Sequence, residues 1–115
     1  MAKQTPEGEV KDGITGTLDK VKAYWFKPVS NGMGKHGIPD VVACIPVKIT
    51  QEMVGDTVGL FAGIEAKKLD VTEPTPRQRN QLREIDQAHG IALLVNKERL
   101  EKFEAGIQAL CKNND

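Results

Sequence analysis

Two almost continuously apolar runs, residues 41–47 and 58–64, stand either side of a turn-forming Gly55-Asp56 pair. A strand apolar on both of its faces belongs to a sheet covered on both sides. The sequence therefore predicts a second strand over residues 38–49 and a third over 58–67, joined as a hairpin. The charged exceptions stand at the strand ends: Asp40 enters one run, and Glu65 and Lys67 leave the other. Alternation along a strand sends Glu65 and Lys67 to one face and Ala66 to the other. Charge at the edge of a buried strand is costly unless it is paired or holds a metal. With Asp40 across the hairpin from Glu65, two carboxylates and one ammonium would converge on one spot.

The rest of the chain supplies helices around that hairpin. Val10, Ile14, Leu18 and Val21 recur at helical spacing and predict a first helix over residues 8–22. Gly13 and Gly16 lower its propensity and suggest close packing at those positions. Residues 24–29 read as an aromatic-rich first strand, and residues 30–37 as a glycine-rich loop. Thr75-Pro76-Arg77-Gln78 announces a helix start, with threonine at the N-cap, proline at N1 and glutamine at N3. Its stripe runs through Leu82 and Ile85, and Gly90 is its expected C-terminal cap. Residues 91–95 form a short buried strand. Asn96 then caps a last helix carrying Leu100, Phe103, Ile107 and Leu110. The order is α-β-β-β-α-β-α, an α/β fold with a central mixed sheet flanked by helices. Residues 1–7 read as a flexible N-terminal arm, 8–110 as one domain and 111–115 as a tail.

At 115 residues the chain suits a single core. No apolar run approaches the length of a membrane helix, and residues 1–7 lack the apolar segment of a signal peptide. The expectation is a cytoplasmic protein. Cys44 and Cys111 have neither a CxxC partner nor histidines at ligand spacing, and read as inert thiols. Sixteen basic and sixteen acidic residues leave no formal charge. That argues against a general nucleic-acid coat but permits a local basic groove.

Gly37-Ile38-Pro39-Asp40, then residues 59–67 ending in Glu65-Ala66-Lys67, then Thr75-Pro76 with Gln78 and Leu82, then Gly90-Ile91-Ala92, follow one another in a specific order. In this the chain resembles the VRR-NUC family of the PD-(D/E)XK nuclease superfamily, over about residues 8–107. The likeness is to its standalone bacterial and phage members. It implies a restriction-endonuclease-like core and a metal-dependent DNA endonuclease. It also implies a homodimer related to Holliday junction resolvases, acting on branched DNA such as four-way junctions in a bacterial cell or phage-infected host. A role in DNA repair would follow from such a substrate. The rivals are a catalytically inert DNA-binding or assembly protein that keeps the fold, and a nuclease of simple duplex DNA or RNA.

The residue chemistry fits that expectation. Magnesium takes oxygen ligands and keeps several waters. Asp40 and Glu65 would supply carboxylates to Mg2+ or Mn2+, and Ala66 its backbone carbonyl. Lys67 would orient the attacking water or offset charge on the phosphoryl group. Glu9 is a further metal candidate, because the superfamily often carries an acid on its first helix; Glu7 is its rival. Gln78 has two readings, capping-box partner of Thr75 and active-site amide, and one amide is not expected to serve both fully. Lys35, His36, Arg77, Arg79 and Arg83 are candidates for phosphate contacts flanking the cut.

Overall fold

A computed structural model of the chain describes residues 5–29, 37–68 and 70–111. It is α/β, and its elements follow the order read from the sequence. They are α1 (Pro6–Lys20), β1 (Tyr24–Phe26), β2 (Val42–Cys44), β3 (Ala62–Ala66), α2 (Pro76–Gln87), β4 (Ile91–Val95) and α3 (Leu100–Leu110). Short 3-10 turns at Gln51–Met53 and Lys97–Arg99 complete the described elements. No helix among the described residues is long and apolar enough to cross a membrane.

The expected single mixed sheet is not formed by the described residues. Two ladders take its place. β1 pairs with β2 antiparallel, with Trp25 opposite Ala43. β3 pairs with β4 in parallel, from Ala62 opposite Ile91 to Ala66 opposite Val95. The predicted second and third strands shrink to β2 and β3, because residues 45–49 and 57–60 join no ladder among the described residues. Pro46 removes a backbone donor from the outgoing leg. The Gln51–Met53 turn and the left-handed Gly55, at φ 94°, then carry the chain around a broad tip instead of a tight hairpin.

α1 begins inside the segment expected to be a flexible arm. Thr5 is its N-cap, accepting from the Gly8 amide at 3.0 Å, and Pro6 takes the first helical position. Gly13 and Gly16 serve no close packing: a Cβ at either would meet nothing within 4 Å among the described residues. Beyond the end of the helix Lys22 takes φ 60°, and the Ala23 amide reaches back to the Leu18 carbonyl.

α2 ends in the same way, one residue earlier than expected. His89, not Gly90, takes the left-handed conformation at φ 69°. The His89 amide bonds the Asp86 carbonyl and the Gly90 amide the Ile85 carbonyl, which makes a Schellman cap. Gly90 is required for packing instead. A Cβ there would stand 2.9 Å from Ile85 Cγ2 and 3.0 Å from Cys44 Sγ. Gly63 on β3 is held free of a side chain by the same Ile85, whose Cδ1 occupies the place a Cβ would take. Ile85, Ala88 and Cys44 are the buried apolar side chains among the described residues. The core thus lies where α2 crosses one face of β3 and meets the end of β2.

Asn96 is buried and fully used. Its Oδ1 accepts from the Arg99 amide, so it caps the Lys97–Arg99 turn that leads into α3 and does not cap α3 itself. Its Nδ2 donates to the Val71 carbonyl at 3.0 Å, fastening the β3–α2 connection to the end of β4. The radius of gyration is 17.4 Å, against about 13 Å for a compact chain of this length. Large apolar side chains such as Val10, Ile49 and Val54 are correspondingly exposed.

Candidate active site

β3 alternates as a strand covered on one side: Gly63 and Glu65 are half-buried, while Ala62, Ile64 and Ala66 are exposed. Glu65 and the following Lys67 therefore share the face on which α2 lies. The Lys67 amide donates to the Val95 carbonyl at 2.9 Å, extending the hold of β4 past the end of the strand. Lys67 Nζ stands 3.9 Å from Glu65 Oε1, and its side chain is only 17% exposed. That is unusual shielding for an ammonium and keeps it beside the carboxylate.

Gln78 completes this group, and both ends of its amide are engaged, one in the capping box and one at Glu65. Its Oε1 accepts from the Thr75 amide at 2.9 Å, and the Thr75 hydroxyl accepts from the Gln78 amide, which closes the capping box. Its Nε2 donates to Glu65 Oε1 at 2.7 Å. An amide has two ends, and the capping bond decides which end turns inward. With the oxygen engaged by Thr75, the NH2 must face the carboxylate. Glu65 Oε2 is left without a partner among the described residues.

The other predicted site residues are distributed more widely. Asp40 is exposed and lines a hollow of about 300 Å³ with Lys11, Lys27, Pro28, Ile38 and Pro39. Glu65, Lys67 and Gln78 do not line that hollow. The α1 side chain that reaches Asp40's hollow is Lys11, while Glu9 is exposed in the first turn and its rival Glu7 pairs with Lys11 at 3.4 Å. Lys35 and His36 lie outside the described residues. Arg79 is committed to Glu73 at 2.8 Å and Arg83 to Asn80, while Arg77 is exposed without a side-chain partner among the described residues.

No family model, curated protein or solved structure matches the chain. The chemistry of the site thus rests on its own atoms. Lys11 and Lys27 beside Asp40 were not singled out in the sequence, because Lys11 lies on a helical repeat and Lys27 on a strand edge. Only the fold places both by the Pro39-Asp40 turn.

A second hollow of about 400 Å³ lies away from Glu65, walled by Asp19, Lys22, Tyr24, Trp25, Glu84 and Gln87 among others. Here Trp25 donates its indole N–H to Asp19 at 2.7 Å, and the Tyr24 hydroxyl bonds Gln81 at 2.9 Å. Tyr24 also packs its ring against Phe26 and Phe61. Burial, and then the nearby Glu84 carboxylate, push the Tyr24 phenol above its ordinary value. These aromatic side chains are tied into the fold.

Carboxylate and carbonyl oxygens are the donors a hard cation takes. No group of three acidic, histidine or cysteine side chains that could hold a metal occurs among the described residues. Magnesium does not require one: it is commonly held by one or two carboxylates together with retained waters and substrate phosphates. Glu65 presents one uncommitted carboxylate oxygen, and Asp40 has no hydrogen-bond partner among the described residues.

Proposed function

We propose that this chain is a Mg2+- or Mn2+-dependent endodeoxyribonuclease with a restriction-endonuclease-like core, acting as a homodimer on branched DNA such as four-way junctions. The observation that carries the reading is the convergence of Glu65, Lys67 and Gln78 where β3 ends and α2 begins. A carboxylate held by an amide, beside a shielded ammonium, has the parts that phosphodiester hydrolysis needs. The order of motifs that resembles the VRR-NUC family adds Asp40 to the set and supplies the branched substrate and the dimer.

In this reading Glu65, the Ala66 carbonyl and Asp40 would hold the ion. When bound, the ion supplies Lewis-acid polarisation of the scissile phosphate. Gln78 fixes the Glu65 carboxylate through Oε1 and so aims Oε2. Lys67 orients the attacking water and offsets the negative charge that grows on the phosphoryl oxygens. Arg77 and Lys11 contribute sequence-independent contacts to neighbouring phosphates.

The experiment is a cleavage gel on labelled four-way junction, flap, duplex and single strand, with Mg2+, Mn2+, Ca2+ or excess EDTA. Cleavage with Mg2+ or Mn2+, binding without cleavage in Ca2+, and loss of cutting in folded Asp40→Asn, Glu65→Gln and Lys67→Ala variants are expected. Cutting that survives EDTA, or full cutting by folded Lys67→Ala, overturns the mechanism. Binding without cleavage under every condition favours the inert DNA-binding alternative.

A further inference from the structure

We propose that Gln78 sets the metal preference of this site: by occupying Oε1 it confines Glu65 to ligation through Oε2 alone, which favours Mg2+ over Ca2+. Such a preference rests on the metal-holding part of the reading above and goes beyond it. Glu65 Oε1 accepts from Gln78 Nε2 at 2.7 Å and has Lys67 Nζ 3.9 Å away. A cation on Oε1 would stand beside an amide donor and an ammonium, which places three positive groups around one oxygen. Oε2 has no such partner among the described residues.

Gln78 is not free to release Oε1 by turning its amide over. Its own oxygen accepts from the Thr75 amide at 2.9 Å. A reversed amide would set its NH2 against the Thr75 N–H and its oxygen against the Glu65 carboxylate, donor on donor and acceptor on acceptor. The backbone on both sides is fixed as well. The Gln78 amide bonds the Thr75 hydroxyl at 3.2 Å at the start of α2, and Glu65 lies in register with Leu94 in the β3–β4 ladder. The orientation is therefore a property of the fold and is present before any ion arrives.

The two ions answer differently to a carboxylate with one oxygen withheld. Mg2+ demands near-octahedral geometry, keeps several of its waters and is held through one or two carboxylates, so a single oxygen of Glu65 meets its need. Ca2+ takes about six to eight oxygens in a looser shell and accepts carboxylates through both oxygens. Blocking Oε1 withholds a ligand that Ca2+ uses and Mg2+ does not need.

The test needs no DNA. Mn2+ is the probe, because the spin signal of the free ion reports how much the full chain binds, and Mg2+ and Ca2+ are then read by competition. Gln78→Met keeps the side-chain length and the backbone amide that Thr75 caps, and removes both ends of the side-chain amide. The ratio of Ca2+ to Mg2+ affinity should rise about tenfold, the lower end of what a charge-assisted hydrogen bond contributes. A merely structural role would weaken both ions together and leave the ratio unchanged. Should Gln78→Met lose its helical far-UV signal, Gln78→Ala gives the same reading. An unchanged ratio in a folded variant, or a wild-type chain that prefers Ca2+, overturns the proposal. A ratio that shifts in a chain that never cuts DNA refutes the nuclease reading alone, and a chain that cuts with an unchanged ratio refutes this one alone. A chain that binds none of the three ions overturns the proposal together with the metal mechanism.

Discussion

Exchanging Gln78 for glutamate separates the two tasks of this side chain. Glutamate is as good a capping-box partner for Thr75 as glutamine, and its charge suits the N-terminal end of α2 by about 0.3–1 kcal/mol. If capping were the whole role, Gln78→Glu would be neutral or stabilising. The contact to Glu65 predicts the reverse. The 2.7 Å bond from Nε2 to the Glu65 carboxylate is lost, and a charge-assisted bond contributes about 1.5–3 kcal/mol. Two carboxylates then face each other. At 4 Å and an effective dielectric of 20 the repulsion would be about 4 kcal/mol. The Glu65 side chain is 31% exposed, so water and a swing of the side chains reduce this term to about 1 kcal/mol. The net expectation is a loss of about 2–3 kcal/mol at neutral pH, read by urea unfolding. Acidification should close the gap. The facing carboxyls of the folded variant take up a proton more readily than they do in the unfolded chain, so stability relative to wild type rises as pH falls toward 4. A variant as stable as wild type at pH 7, with no relative gain in acid, would refute the Gln78–Glu65 contact.

The single tyrosine gives a pH prediction free of overlap with other residues. Its folded-state pKa is raised by burial and then by Glu84, so its contribution to stability is complete below about pH 10 and is lost as pH rises through the raised value. Phenolate absorbance should appear at higher pH in the native protein than in urea, and Glu84→Gln should bring the native curve partway back; coincident native and unfolded curves would refute this. At the end of α2, His89→Gly should stabilise by about 0.5–1 kcal/mol, because glycine meets no penalty at φ 69°. His89→Val should destabilise, and a thermal melt reads both directions.

The order of elements was legible because each helix carries its own apolar stripe. Thr75-Pro76 with Gln78 defined the beginning of α2 to the residue. Thr5-Pro6 carries the same signal for α1, yet the polar composition of the first seven residues outweighed it. The sheet was less legible. The apolar runs at 41–47 and 58–64 do mark extended chain, but apolar content does not reveal whether the covering layer belongs to the same molecule. Gly90 was read as a cap because glycine most often fills that place, and its packing against Ile85 and Cys44 depends on contacts distant in sequence. Within the site, one-strand alternation was enough to place Glu65 beside Lys67. The double use of Gln78 was missed because the two ends of its amide were counted as one group. Where Asp40 sits depends on how two separate ladders are arranged, which no local pattern encodes.

The parallel pairing of β3 with β4 also bears on the order in which this molecule assembles. Ala62 meets Ile91 only after the chain has passed along all of α2 and both of its connections. Parallel strands cannot zip from a tight turn, so the closure entropy of that long excursion is met before the first ladder bond forms. Such non-local pairings form slowly compared with a helix, which nucleates from its own neighbours. Thr75 can therefore cap α2 and turn the Gln78 amide inward while Glu65 is still on a loose segment. On this argument the Gln78 amide is expected to be oriented before the Glu65 carboxylate, which arrives with the closing of β3 on β4.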